Sequence, residues 1–287
     1  MYAVTGISGQ VGGAVARTLL GAGLAVRAVV RDAAKGAVWQ QRGCAVAVAD
    51  IGDAAALAAA LDGVDGAFLL IPPLFDPAPG FPEVKAIIAT LTQALERARP
   101  PKLVCLSTVG AQATQPNLLN QLGQVEQALG ALAMPVTFLR AGWFIENALW
   151  DVAAARETGV IASFLQPLDK PVPMVATADV GRVAAALLQE DWTGHRVVEL
   201  EGPRRVTPND IAAGFATVLA RPVEATAVPR DTWEGLFAGL GMKNPAPRMA
   251  MLDGFNEGWI EFEGGHAGSV KGTVGLETVL ADLVARG

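Results

Sequence analysis

Residues 5–12 read Thr5-Gly6-Ile7-Ser8-Gly9-Gln10-Val11-Gly12, with three glycines spaced three apart between an apolar run and a helical pattern. Each glycine has its own physical use. Gly6 permits a tight turn, Gly9 lets the backbone approach a pyrophosphate, and Gly12 lets the helix pack closely on the sheet. A helix starting here presents backbone N–H groups and a positive dipole end to an anion. A strand-to-helix turn without a ligand also uses glycine. The context favours the dinucleotide reading, because strand, loop, helix and second strand fit within about 30 residues.

The following residues keep that rhythm. Strands are expected at Tyr2–Thr5, Ala25–Val30, Ala45–Ala49, Gly66–Ile71, Lys102–Ser107 and Pro135–Arg140. Helices are expected between them at Val11–Leu20, Ala33–Gln41, Ala54–Leu61, Glu83–Arg97 and Leu118–Leu132. Apolar strands alternating with helices specify an α/β fold, a Rossmann-type doubly wound parallel sheet covered on both faces. After Arg140 the pattern changes. Trp143–Arg156 reads as helix, Pro167, Pro171 and Pro173 mark an extended segment, Asp179–Gln189 is a helix and Arg196–Leu200 a strand. Beyond these lie a helix at Asn209–Leu219, a strand-like run at Val223–Val228 and helical pieces at Asp231–Leu240 and Pro247–Gly258. The expected organisation is a dinucleotide-binding domain at 1–155, completed by 172–200, and a smaller α+β lobe at 201–287.

Composition excludes several functions. Net charge is −6 with only 22 Lys and Arg, a poor basis for neutralising nucleic-acid phosphates. No apolar run reaches the ~18 residues of a membrane span. Met1–Gly6 has no basic stretch before its apolar residues, so the expectation is a cytoplasmic protein without a secretory leader. Cys44 and Cys105 lie far apart in apolar runs and read as two buried thiols. His195 and His266 sit beside glycines without a second metal ligand at suitable spacing, so no metal site is expected. No GxSxG elbow supports a hydrolase. The acidic pairs Glu199/Glu201 and Glu261/Glu263 alternate and read as solvated charge.

Arg31 follows the second strand, 19 residues after Gly12. An acid at this place would hold a ribose 2′-OH, whereas an arginine fork suits a 2′-phosphate. NADP(H) is therefore favoured over NAD(H), with Lys35 as added charge. Asp32 either caps the next helix or competes. Asp50 and Ile51 are placed to meet an adenine, unless Asp50 or Asp53 is simply a helix cap.

The chain resembles an NmrA-like member of the atypical short-chain dehydrogenase/reductase group. The carriers are the glycine loop, Arg31, Leu69-Leu70-Ile71-Pro72-Pro73, Leu106-Ser107-Thr108-Val109-Gly110-Ala111 and Gln124-Val125-Glu126-Gln127-Ala128-Leu129. They continue with Pro135-Val136-Thr137-Phe138-Leu139-Arg140-Ala141-Gly142-Trp143-Phe144, Glu146-Asn147 and Ala176-Thr177-Ala178-Asp179-Val180-Gly181. The resemblance implies NADP(H) binding. Some such proteins resemble quinone reductases, and others are redox-sensing regulators without turnover. It further implies that Gly6, Ser8, Gly9, Gln10, Val11 and Ser107 meet the cofactor, that Leu70, Ile71 and Pro72 run beside it, and that Gly142, Trp143 and Phe144 flank its nicotinamide end.

The chain departs from the wider group at the acid. Its one tyrosine is Tyr2, in the first strand, and no lysine lies between Lys102 and Lys170. Ser107 alone remains of the usual Ser/Tyr/Lys set, unless it is a strand-end hydroxyl satisfied by backbone. Reducing a ketone without an acid leaves a costly alkoxide. Reducing a quinone leaves a phenolate whose acid has a pKa of about 10, tolerable beside water. The expected activity is therefore hydride transfer to a small aromatic, quinone-like or conjugated carbonyl acceptor. The rival is a non-catalytic NADP(H) sensor with a protein partner. Pro72, Pro73, Phe75, Phe81, Trp143, Phe144 and Met174 are available to line an acceptor pocket, with Asn147 as polar handle. Phe75, Trp143 and Asn147 are the substrate candidates, and Ser107 and Asn147 the catalytic ones.

Overall fold

The computed structural model describes residues 1–286. The chain begins β1 (Tyr2–Val4), α1 (Gln10–Gly21), β2 (Val26–Val30), α2 (Ala33–Gln41), β3 (Ala45–Val48) and α3 (Ala54–Leu61). It continues β4 (Gly66–Leu69), α4 (Pro82–Ala98), β5 (Leu103–Thr108), α5 (Asn120–Gly130) and β6 (Val136–Ala141). Then come β7 (Trp143–Phe144), a 3₁₀ segment (Ile145–Asp151), α6 (Val152–Glu157), β8 (Val160–Ser163), β9 (Met174–Val175), α7 (Thr177–Leu188) and β10 (His195–Glu201). The remainder is α8 (Pro208–Leu219), β11 (Glu224–Ala227), α9 (Trp233–Gly239), α10 (Ala246–Glu257), α11 (Gly265–Gly268), β12 (Val270–Lys271) and α12 (Leu276–Arg286).

Two units divide these elements. The first comprises Met1–Ser107, Gln121–Arg140 and Val180–Val198, and the second comprises Thr108–Asn120, Ala141–Asp179 and the residues from Glu199 onward. In the first, β1 lies between β2 and β4, with β3 outside β2 and β5 outside β4. These pairs are parallel, with Ala3 opposite both Arg27 and Ala67. Parallel strands need crossover helices on the faces, and the strand residues are correspondingly buried: Ala3, Val4, Val29, Ala67, Leu69, Leu103 and Cys105 all enter the core. α2 and α3 start where Asp32 and Asp53 accept first-turn N–H groups. The doubly wound parallel sheet expected from the alternation is what forms, in the order β12-β10-β6-β5-β4-β1-β2-β3. β10 runs on from the first unit into the second, where β12 pairs in parallel with its last two residues.

The second unit has its own core around Ile145, Phe215, Trp233, Phe237, Phe255 and Leu280. β8 pairs in parallel with β11, and β7 with β9. Phe164 stacks on Phe237 at 5.1 Å between ring centroids. Two expectations are corrected here. Trp143–Arg156 is not one helix, because the Trp143 N–H donates to the Pro173 carbonyl (2.9 Å) and α-helix starts only at Val152. Met174, expected to be available to a pocket, is fully buried in this core. Strand β8 and helix α12 were absent from the sequence reading.

No helix among the described residues is long and apolar enough to cross a membrane.

In the first unit α7 crosses α1 at Gly181, where a Cβ would stand 2.4 Å from the Ala14 Cβ. Backbone must move to admit it. Gly181→Ala is expected to cost about 2 kcal/mol and to lower Tm by roughly 4–8 °C, read by thermal melting. An unchanged Tm would show that the helices are not held this closely.

Candidate functional site

The end of β1 is tied to the end of β4. The Thr5 N–H donates to the Phe68 carbonyl (3.0 Å), and the Thr5 hydroxyl accepts from the Leu70 N–H (3.1 Å). Gly6 then takes a left-handed conformation (φ +60), and the Gly9 N–H returns to the Gly6 carbonyl at 2.9 Å. At Gly12 a Cβ would lie 2.4 Å from that same carbonyl oxygen, so the first turn of α1 rests directly on the bend. The helix is capped by Gly9 without any side-chain hydrogen bond and has no acid in its first turn. Its positive end is therefore not answered by the chain's own carboxylates. Ser8, Gly9 and Gln10 are exposed, while the Ile7 and Val11 side chains go to the core.

At the end of β2, Arg31 is exposed and makes no hydrogen bond or ion pair with the described residues. Asp32 is the cap: its carboxylate accepts from the Ala34 N–H at 2.9 Å. Lys35 is exposed one turn on. After β3, Asp53 caps α3 by accepting from Ala55 and Ala56 (3.0 Å each). Asp50 closes a small turn with the Gly52 N–H (2.8 Å) and stays exposed, and Ile51 packs on the core.

After β4, the Leu70 side chain lies over the bend, 2.7 Å from where a Gly6 Cβ would be. Ile71 and Phe81 pack against the first unit's core, and Pro72 is half-buried. Phe75 is 46% exposed. Gln121 on α5 anchors this loop by donating to the Leu74 carbonyl at 3.0 Å.

Ser107, at the end of β5, is 4% exposed and does not use backbone as its partner. Its hydroxyl donates to Glu126 Oε1 at 2.5 Å. Arg140 clamps the same carboxylate, Nε to Oε1 at 2.9 Å and Nη2 to Oε2 at 2.7 Å. Sequence reasoning quoted Glu126 and Arg140 without giving them a role. The signal was available, since an arginine in the otherwise apolar strand Val136–Ala141 demands a counter-ion. On the same strand as Ser107, Cys105 has its thiol pushed up to about 12 by burial and by the Glu126 charge.

In the second unit, Gly142 is forced by close approach, because a Cβ there would meet the Pro173 carbonyl at 2.6 Å. Trp143 meets Phe255 edge-on at 5.4 Å, and Phe144 and Asn147 are half-buried. Glu146 accepts from the Thr177 N–H (2.8 Å) and hydroxyl (2.6 Å), pinning the start of α7. Burial holds its carboxyl above the usual range despite those bonds. Glu199, Glu201 and Glu261 are not free solvated charge, whereas Glu263 is exposed as expected. Glu201 is fully buried and accepts from Arg205 (3.0 Å), Ser269 (2.5 Å) and Lys271, with His266 Nδ1 at 2.7 Å. Arg205 also grips Glu261 with both terminal nitrogens (2.6 and 2.8 Å), and Glu199 accepts from the Glu263 and Gly264 N–H groups (2.8 and 2.9 Å). The alternating pattern was legible, but segments some 60 residues onward cover its polar face.

Comparison with known proteins follows this geometry. The profile of the NmrA-like family matches residues 2–257. An NAD(P)H azoreductase of Xenophilus azovorans is 29% identical over 259 residues, covering 90% of this chain and 85% of the relative. Quinone oxidoreductase 2 of Escherichia coli K12 is 30% identical over 215 residues, covering 74% and 72%. The triphenylmethane reductase of Citrobacter sp., solved with NADP(H), superposes with a TM-score of 0.80 at 20% identity, covering 99% of each chain.

Asp151, at the end of the 3₁₀ segment, is pushed up to about 6 by burial. Its folded-state pKa is thus raised, so the associated stability is complete below the unfolded value near 4 and is lost as pH rises through about 6. Asp151→Asn is expected to raise stability at pH 8 by about 1–2 kcal/mol, allowing for solvent screening, and to change little at pH 4. Melting curves at the two pH values check this. Equal effects at both would show that Asp151 carries no burial penalty.

Proposed function

The chain belongs to the NmrA-like family, and on that footing we propose that it is an NADPH-dependent oxidoreductase acting on quinone-like or other conjugated acceptors such as azo dyes. One observation carries the cofactor reading: an unpaired Arg31 stands beside a helix start that has no acid and no side-chain cap. Asp32, the group that would repel a 2′-phosphate, is turned into the α2 cap. Gly12 is required by the bend itself, since a side chain there would displace the Gly6 carbonyl. Gly6, Ser8, Gly9, Gln10 and Val11 would hold the pyrophosphate. Arg31 and Lys35 would take the 2′-phosphate, Asp50 and Ile51 the adenosine, and Leu70, Ile71 and Pro72 the stretch leading to the nicotinamide. Reduced nicotinamide, when bound, supplies a hydride.

The acceptor class follows from proton supply. Tyr2 starts β1, at the opposite end of the strand from the bend, and no lysine stands on α5. The Ser107 proton is already given to Glu126. A product anion must then survive in water, which suits a hydroquinone and not a simple alkoxide. Named relatives that reduce quinones and azo compounds support the same class. Phe75, in the first unit, is the side chain proposed to meet the acceptor.

The test is NADPH consumption across a panel of quinones and azo dyes, with calorimetry of both dinucleotides. Arg31→Ala is expected to weaken NADPH binding about tenfold or more, near 1.4 kcal/mol, and NADH binding by little. No consumption above the buffer rate with any acceptor would overturn the catalytic reading. If binding then still separated oxidised from reduced cofactor, a non-catalytic sensor would replace it.

A further inference from the structure

We propose that Ser107 is held as a hydrogen-bond acceptor for the carboxamide N–H of the bound nicotinamide, with Glu126 and Arg140 as its positioning residues. A serine hydroxyl has one proton and two lone pairs. Here the proton is spent on Glu126, 2.5 Å away. The Glu126 carboxylate cannot turn, because Arg140 grips both of its oxygens at 2.9 and 2.7 Å in a nearly dry setting. Such charge-assisted bidentate pairs fix orientation as well as energy. What Ser107 offers a ligand is therefore a lone pair, and only a donor can take it.

Sheet order says which donor. β5 lies two strands from β1, past β4, and Arg31 lies on the other side, at the end of β2. With strands ~4.8 Å apart, Ser107 stands about 10 Å of sheet from the bend. A dinucleotide whose pyrophosphate sits on the bend and whose 2′-phosphate meets Arg31 extends its nicotinamide half toward β4 and β5. The donor on that ring is the carboxamide. This assignment rests on the cofactor reading above.

The experiment compares binding of NADP⁺ and its 3-acetylpyridine analogue, in which a methyl ketone replaces the amide and no N–H remains. Calorimetry of the full chain should show the amide favoured about three- to tenfold, the usual range for one hydrogen bond. Ser107→Thr should keep this preference, and Ser107→Ala should reduce it to within about twofold. Glu126→Gln can donate its own amide to Ser107 and release the hydroxyl proton outward, so it should shift preference toward the ketone, an effect that loss of stability alone does not produce. If that variant does not fold, the Ala and Thr pair still decides. An amide preference unchanged in Ser107→Ala, or absent from the unaltered chain, overturns the assignment. Binding of neither compound to the unaltered chain overturns the cofactor reading itself, and this assignment with it.

Discussion

The contact between the Gly6 carbonyl and the first turn of α1 sets the rest of the first unit. Any side chain at position 12 would occupy the carbonyl's place, so the helix sits on the bend only because Gly12 has none. Thr5 locks the same bend to β4, and Leu70 covers it. The result is a helix start aimed past the end of β1. α1 shares its lack of a side-chain cap with α4, α6, α9 and α10. α2, α3 and α8 are capped by Asp32, Asp53 and Thr207, each with side-chain hydrogen bonds. α1 forgoes that stabilisation, typically about 1 kcal/mol. On the proposed reading, a bound phosphate returns it, which couples stability to cofactor concentration through mass action.

Much of this was legible because the governing interactions are local. α2 and α3 were read to the residue from an aspartate followed by alanine-rich helix, since the cap and the helix lie within one turn of each other. The parallel strands were legible because burial on both faces makes them mostly apolar runs. What escaped was decided far along the chain. Trp143 and Phe144 look helical in their own neighbourhood, but their hydrogen-bond partners are in the segment around Pro173 to Val175. Glu199 and Glu201 alternate as a half-exposed strand would, and the segment from Glu263 to Lys271 then covers them. Within the candidate site the bend followed from local chemistry, and of the alternatives left open for Asp32 and Asp53 the structure shows helix capping. The partner of Ser107 did not, because α5 intervenes between β5 and the arginine that orients its glutamate.

Both units hold buried charge, with different consequences. Burying an ion pair costs desolvation that attraction only partly offsets, so such pairs specify geometry more than they stabilise. In the second unit Glu201 gathers Arg205, Ser269, Lys271 and His266, which fixes the chain from α11 to β12 against the end of β10. The bonds to that carboxylate hold it below the usual range against burial. In the first unit Arg140 and Glu126 fix a hydroxyl instead. The same negative charge, together with burial, keeps Cys105 a thiol at any physiological pH. A nucleophile two residues from Ser107 is thereby silenced, since thiolate is the reactive form.

These features narrow the chemistry open to the site. With Cys105 protonated, Ser107 donating inward and Tyr2 at the far end of β1, none of these three offers a proton outward. On the proposed reading, a proton would then come from water after hydride transfer. A transition state that builds charge without a donor is costly unless the acceptor spreads that charge itself. An aromatic or otherwise conjugated acceptor does so through its own π system. On the proposed reading, acceptors whose reduced form is a stabilised anion, as in a hydroquinone, are favoured at such a site.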